Sequence, residues 1–121
     1  MNKKTILFLD DNEERHQAFA RKHTDGEMIF AAYTVEEAIN FLEKFSPFDE
    51  AHLDHDLGGQ VFVASDEMSG YHVALHIARM DPEMRPKKII VHSWNPAGAT
   101  NMRSMFERYG IQSSYEPFTG R

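Results

Sequence analysis

The length, composition and charge of the chain limit what it can be. Its 121 residues suit one domain over residues 1–121, and the absence of cysteine excludes disulfide bridges, thiolate zinc sites and a cysteine nucleophile. A net charge of −6 argues against a module that wraps duplex nucleic acid through its phosphates, and no apolar run approaches the ~20 residues that span a bilayer. We therefore expect a single cytoplasmic domain that binds neither membranes nor duplex nucleic acid.

The sequence predicts strands and helices in alternation. Short apolar runs bounded by turn residues are typical of strands buried in a parallel sheet, whereas apolar residues spaced three or four apart indicate helices. In chain order, we predict a strand at residues 6–9, a helix at 12–25, a strand at 28–33, a helix at 34–45, a strand at 48–54, a loop or small hairpin at 60–68, a helix at about 73–80, a strand at 87–93, a helix at 95–109 and a strand at 111–115. This alternation predicts one open, doubly wound parallel sheet of the α/β class.

Capping residues mark where two of the helices begin. Thr34 followed by Glu37 is a capping-box pattern, and Asn95 followed by Pro96 combines a capping residue with a proline at the first helical position. In doubly wound sheets the ligand site lies outside the carboxyl ends of the strands. The residues at those ends are therefore the candidates for function.

Polar residues occupy the predicted strand ends. They are Asp10 and Asp11 after the first strand, Asp54, His55 and Asp56 after the third, His92, Ser93 and Asn95 after the fourth, and Glu116 after the fifth. Five ionised carboxylates in one crevice repel one another, and either protonation or a bound cation relieves that repulsion. An oxygen-rich site of this kind suits Mg²⁺ or Mn²⁺, with the imidazoles as further ligands. Helix capping is the simpler explanation for any single member, such as Asp11 or Asn95.

These segments resemble the receiver domain of two-component response regulators across nearly the whole chain. The matching segments are residues 6–11, 53–59, 69–70, 90–93 and 116–118. The resemblance implies a flavodoxin-like sheet with the strand order 2-1-3-4-5. It also implies that Asp10, Asp11 and Asp54 hold Mg²⁺ and that Asp54 accepts a phosphoryl group. Ser93 would then bind that group through a hydrogen bond.

The chain departs from the receiver pattern near its end. Glu116 stands where receivers usually carry a lysine that pairs with the phosphoryl group, so a negative charge replaces a positive one. The sequence ends at Arg121, and we therefore expect the final helix of the receiver fold to be missing.

A second set of departures points to a more specific relative. His55 and Asp56 follow Asp54, where receivers mostly carry apolar residues. The segments LDHDLG at 53–58 and HSWN at 92–95 together resemble a receiver-derived group of small bacterial and phage proteins predicted to process cyclic phosphates. This resemblance implies metal-dependent hydrolysis of a cyclic phosphate carried by a nucleotide, an RNA end or an ADP-ribose derivative.

Hydrolysis of a cyclic phosphate gives each candidate residue a role. Opening the ring needs an activated water, stabilisation of charge on the phosphoryl oxygens and an acid for the leaving alkoxide. The predicted metal ligands are Asp10, Asp11, Asp54 and Asp56. The predicted catalytic residues are Asp54, His55 and His92. The predicted contacts to phosphate or substrate are Ser93, Asn95, Glu116 and the backbone N–H groups of Ala97 and Gly98 at the start of the fourth helix.

Four other side chains have a more open interpretation. Trp94 either stacks on a base or sugar or packs at the start of a helix. Arg15 and Arg103 are candidate phosphate contacts at the rim of the crevice, although no spacing fixes either of them. His52 precedes Asp54 by two residues on a strand, so it should lie on the same side of the sheet.

Two other functions fit the same residues. One is a phosphoacceptor receiver that uses Asp54 in signalling, and the other is a degenerate receiver that binds a protein or small molecule without chemistry. For the preferred hydrolase, the expected cofactor is Mg²⁺ or Mn²⁺. Its expected partner is a small phosphorylated ligand or the end of a nucleic acid.

Overall fold

Five strands form one parallel sheet with the order β2-β1-β3-β4-β5. A computed structural model of the chain describes residues 3–23, 26–57 and 69–117. The elements in this part of the chain are β1 (Lys4–Leu9), α1 (Glu13–Lys22), β2 (Glu27–Ala32), α2 (Val35–Phe45), β3 (Glu50–Leu53), α3 (Gly70–Ala78), a 3₁₀ turn (Pro82–Met84), β4 (Lys88–Val91), α4 (Pro96–Arg108) and β5 (Ser114–Tyr115). The predicted flavodoxin-like fold and strand order are confirmed. None of the helices in these residues is long and apolar enough to cross a bilayer.

Two hydrophobic clusters cover the two faces of the sheet. The larger joins Leu7 and Leu9 of β1 to the apolar sides of α2, α3 and α4. The smaller joins Ile6 and Phe8 to Phe19 of α1. Because side chains alternate along a strand, β1 is buried on both sides, as its continuous apolar run predicts.

The end of α1 and the start of β5 differ from the prediction because local hydrogen bonds hold the flanking residues out of these elements. The helix α1 ends at Lys22, where the backbone N–H of His23 bonds back to Ala20. The strand β5 starts three residues later than predicted. Gly110 adopts a left-handed conformation (φ 74°) after α4, and the N–H of Ile111 bonds to the carbonyl of Phe106 rather than to the sheet.

Part of the prediction falls where the structure gives no description. The loop or small hairpin expected at 60–68 lies outside the described residues, as do the glycines at 58 and 59 and residue 118 of the receiver resemblance.

Candidate functional site

Four polar residues form a row across the carboxyl edge of the sheet. The strands β1, β3, β4 and β5 end level with one another. The first backbone N–H beyond β3, β4 and β5 in each case donates to the last carbonyl of the preceding neighbour in the sheet, at 2.9–3.0 Å. The row consists of Asp10, Asp54, His92 and Glu116. Since these residues occupy equivalent positions in register, they share the side of the sheet that α1 covers.

Three members of this row form a buried cluster. One ligand-type atom of each of Asp10, Asp54 and His92 lies within 4.8 Å of the others, and none of the three residues is more than 5% exposed. The Nε2–H of His92 donates to Asp10 Oδ2 at 3.0 Å, because an ionised carboxylate can only accept. The His92 ring also stacks on Phe8, with ring centroids 5.0 Å apart. Two carboxylates and an imidazole from three strands are a donor set that suits a divalent cation.

The two carboxyl groups of the cluster respond differently to burial. Burial raises the pKa of Asp54 to about 6, with a further contribution from the negative charge of Asp10, although His92 and Arg15 oppose the rise. Burial alone would also raise the pKa of Asp10, but hydrogen bonds from His92 and Arg15 outweigh it and hold this pKa below its ordinary value. Asp54 is therefore the member of the pair that takes up a proton as the pH falls through about 6.

Arg15 reaches the cluster from the first turn of α1. Its Nε donates to Asp10 Oδ2 at 2.7 Å, and its Nη2 lies 3.8 Å from Asp54 Oδ2 and 4.0 Å from Asp11 Oδ1. Asn12 caps α1 by accepting from the backbone N–H of Arg15 at 2.9 Å. This cap puts Arg15 in the turn of α1 nearest the end of β1. The Asp11 side chain is 21% exposed beside it.

A second histidine–carboxylate pair lies beside Asp54 in the chain. The ring of His55 is fully buried, and its Nδ1 lies 2.9 Å from Asp56 Oδ1. The same oxygen accepts a hydrogen bond from Asn95 Nδ2 at 3.0 Å. Within the described residues, Asp56 is therefore placed with His55 and Asn95 and not in the cluster of Asp10, Asp54 and His92.

A glycine in the first turn of α4 leaves space for the pair of His55 and Asp56. A Cβ on Gly98 would lie 2.4 Å from Cγ of His55. The backbone N–H of Gly98 donates to Asn95 Oδ1 at 3.1 Å, so it is engaged in capping α4. Ala97 is exposed in the same turn.

A second glycine joins α3 to the loop after β3. The N–H of Gly70 donates to the carbonyl of His55 at 2.8 Å, and a Cβ on Gly70 would lie 1.7 Å from the carbonyl oxygen of Asp54. The start of α3 therefore packs directly against the backbone that carries Asp54.

The remaining predicted contacts differ in exposure. Ser93 is buried, and its Oγ accepts from the backbone N–H of Asn95 at 3.0 Å. Trp94 is 64% exposed between them, and Glu116 is exposed at the far end of the row. Arg103 Nη2 reaches the carbonyl of Ser113 at 3.5 Å.

His52 lies one position deeper on the same side of the sheet as Asp54. Its ring contacts Phe19 edge-on, with centroids 4.8 Å apart, and its Nε2 lies 2.8 Å from Glu50 Oε1. Burial lowers the pKa of His52 to about 4, although the hydrogen bond to Glu50 opposes the shift. His52 is therefore neutral at neutral pH.

Solved structures of known proteins share the fold of this chain. One similar solved structure is a response regulator from Burkholderia pseudomallei, described with a phosphorylated aspartic acid, calcium ion and citrate. It is 21% identical with a TM-score of 0.68, and the match covers 98% of this chain and 62% of that chain. A response regulator receiver domain from Methylobacillus flagellatus is 13% identical at a TM-score of 0.65, with 98% of this chain and 90% of that chain covered. The N-terminal domain of a receiver protein from Methanoculleus marisnigri is 22% identical at a TM-score of 0.62, with coverage of 93% and 84%. At these identities the likeness establishes the fold alone.

Sequence comparison identifies the family. No curated protein matches the chain. The family model for the cyclic-phosphate processing receiver domain matches residues 5–108, from the second residue of β1 to the last residue of α4. The chain therefore belongs to the cyclic-phosphate processing receiver domain family.

Proposed function

We propose that this receiver domain hydrolyses a cyclic phosphodiester with the help of a divalent cation. The observation that carries the proposal is the buried cluster of Asp10, Asp54 and His92 at the carboxyl edge of the sheet. A structural role explains it poorly, because two carboxylates buried side by side cost stability.

The donor set fits Mg²⁺ or Mn²⁺. Asp10 and Asp54 would hold the cation through carboxylate oxygens, with Asp11 beside them. The raised pKa of Asp54 supports this assignment, since it reflects a carboxylate whose negative charge is incompletely balanced. When bound, the cation supplies Lewis-acid polarisation of the phosphate and activation of water.

Two histidine–carboxylate pairs are available for proton transfer. Hydrolysis adds water across one P–O bond of the ring, so one group must take a proton from water and one must give a proton to the leaving alkoxide. His92 is oriented by Asp10 and His55 by Asp56, and a carboxylate partner stabilises the imidazolium that forms. We assign these two proton transfers to His92 and His55.

Three groups remain for the phosphate and the attached sugar or base. The Ser93 hydroxyl and the exposed first turn of α4 at Ala97 lie next to the cluster in the chain. Trp94 is exposed at the same connection, which favours stacking over packing as its role. A cyclic phosphate with an attached base fits this arrangement.

Turnover of a substrate panel tests the proposal. The full chain is incubated with Mn²⁺ or Mg²⁺ and with cyclic phosphates of nucleotides, RNA ends and ADP-ribose derivatives. Asp54→Asn should lower the metal-dependent rate at least 100-fold, on the scale of losing a metal ligand or general base. His76→Gln, on α3 outside the site, is the control and should keep the rate. Absence of turnover on every substrate with both metals would contradict the proposal.

A phosphoacceptor receiver is the second candidate. Asp54 directly follows β3 in a receiver fold, and the Burkholderia structure carries a phosphorylated aspartic acid. Glu116 opposes this function, since it places a negative charge in the row where a phosphoaspartate would form. Phosphorylation of the chain by acetyl phosphate, absent in Asp54→Asn and accompanied by no hydrolysis of the panel, would favour this candidate.

A further inference from the structure

Arg15 lies at the cluster but has no part in the proposed hydrolysis. Its guanidinium faces three carboxylates, those of Asp10, Asp11 and Asp54, at 2.7–4.0 Å. These groups come from the ends of two neighbouring strands, so the helix α1 delivers a positive charge to the carboxyl edge of the sheet.

Arg15 and a divalent cation would compete for the carboxylate of Asp10. Asp10 Oδ2 accepts from Arg15 Nε at 2.7 Å and from His92 Nε2 at 3.0 Å, whereas Asp10 Oδ1 accepts from the backbone N–H of Asn12 at 2.8 Å. Asp10 is fully buried, so these donors take the place of solvent. A cation that coordinated Asp10 would bind the same carboxylate that Arg15 and His92 engage, and the positive charges of the cation and of Arg15 would repel each other.

We propose that Arg15 is the counter-ion of the cluster when no divalent cation is bound and a phosphate-binding residue when one is. With a cation on the carboxylates, the guanidinium of Arg15 would be released from Asp10, and its planar fork would match two oxygens of a phosphate group. The Arg15 side chain is 30% exposed, so its head group can turn without opening the core. The inference rests on the proposed function for the nature of the ligand.

The charges at the site favour the movement of Arg15 from Asp10 to a phosphate when a cation is bound. When ionised, Asp10, Asp11 and Asp54 carry three negative charges, which one guanidinium and one divalent cation together neutralise. A neutral site accepts the anion of a cyclic phosphodiester, whereas the same site without Arg15 holds excess negative charge and repels it. Glu116 extends the row with another negative charge and increases the need for a cation from α1.

One substitution should have opposite effects on two ligands. In Arg15→Gln, Mn²⁺ should bind more tightly, on the order of tenfold, because the competing cation is gone. Inorganic phosphate should bind the Mn²⁺-loaded variant more weakly, also on the order of tenfold, because a charge-assisted contact is lost. Titration calorimetry of the full chain measures both affinities, first with Mn²⁺ alone and then with inorganic phosphate.

Two further variants complete the test. Arg108→Gln removes an exposed arginine from the last turn of α4, so both affinities should stay at the wild-type values. Arg15→Lys keeps the charge but not the fork, so Mn²⁺ should bind as in the wild type and phosphate more weakly.

Each result decides a defined part of the inference. Unchanged or weaker Mn²⁺ binding in Arg15→Gln would overturn the counter-ion role, and unchanged phosphate binding would overturn the phosphate role. Absence of Mn²⁺ binding to the wild type would overturn this inference together with the proposed function. A chain that shows both effects yet hydrolyses no cyclic phosphate would contradict the proposed function alone.

Discussion

At the scale of single residues, the absence of two side chains sets the shape of the site. Gly98 faces the ring of His55, and Gly70 faces the backbone carbonyl of Asp54, both at distances that leave no space for a Cβ. Interiors are packed closely enough that an added methyl group must displace its neighbour. The loop that carries Asp54 and His55 is therefore held in place by the starts of α3 and α4.

Substitution of Gly98 tests this confinement. Gly98→Ala should push the His55 ring from Asp56 and destabilise the domain by about 1–3 kcal/mol, the usual cost of overpacking. Helix propensity acts in the opposite direction, because alanine favours a helix by about 1 kcal/mol over glycine. Urea unfolding measures the stability, and the NMR signals of the His55 ring report the Nδ1 contact.

The control for this substitution lies on the same helix. Thr100→Ala changes an exposed position and should leave the His55 signals unchanged. A Gly98→Ala variant as stable as the wild type, with an unshifted His55 ring, would mean that α4 does not confine the imidazole.

At the scale of elements, the start of α4 belongs to the site as much as to the helix. The Asn95 side chain accepts from Gly98 N–H and donates to Asp56, while its own backbone N–H donates to Ser93 Oγ. One residue therefore ends a connection, caps a helix and holds the carboxylate that orients His55.

Substitution of two helix caps separates the capping role of Asn95 from its hydrogen bond to Asp56. Asn95→Ala should cost about 2–4 kcal/mol, because it removes a cap and a hydrogen bond to a buried carboxylate. Thr34→Ala, which removes only the cap of α2, should cost about 1 kcal/mol. Thermal and urea unfolding of the two variants provide the measurement. Equal losses would show that the bond from Asn95 to Asp56 adds nothing to stability.

The elements also show how far local sequence determines this fold. The run that ends at Leu9 and the Thr34 cap predict β1 and the start of α2 correctly, because both signals are local. The prediction fails for the start of β5, since Ile111 reads as a strand residue by composition but bonds back to α4. Such competition between a helix end and a sheet is decided by tertiary contacts.

The candidate site also has a part that the sequence predicts and a part that it does not. Strand periodicity is sufficient to predict that Asp10, Asp54 and His92 are neighbours, because all three directly follow strands in register. The contact of Arg15 depends on the angle at which α1 leaves the sheet, and the position of Asp56 depends on Asn95 across the site. Neither of these is encoded in residue spacing.

At the scale of the whole molecule, the site works against the stability of the fold. Asp54 has a pKa raised from 3.8 to about 6, which corresponds to about 3 kcal/mol. Because the folded pKa lies above the unfolded one, Asp54 contributes stability at low pH that is lost as the pH rises through about 6. Asp10 acts in the opposite sense, since its lowered pKa contributes stability that is lost as the pH falls below its ordinary value.

The upward shift of the Asp54 pKa leads to a prediction for the metal-free protein. Asp54→Asn should be more stable than the wild type at pH 7.5 by up to about 3 kcal/mol, and the difference should shrink toward pH 4. The amide can still accept the backbone N–H of His55, which Asp54 Oδ1 accepts at 2.9 Å. Urea unfolding with a chelator present, measured from pH 4 to 7.5, gives the comparison.

A matched variant controls for the change in net charge. Asp81→Asn alters an exposed carboxyl and should follow the wild-type profile at every pH. If Asp54→Asn were less stable than the wild type at pH 7.5, the carboxylate would be a stabilising group and not a strained one.

The contact between Gly70 and His55 has a consequence for divergence within this fold. Because the N–H of Gly70 bonds to the carbonyl of His55, the chain departs from the site and returns to it at nearly the same point. Relatives could therefore exchange or lengthen the intervening segment without moving Asp54, since closing a longer loop adds little entropy cost. The intervening segment can then differ among relatives while the buried carboxyl groups at the edge of the sheet keep their places.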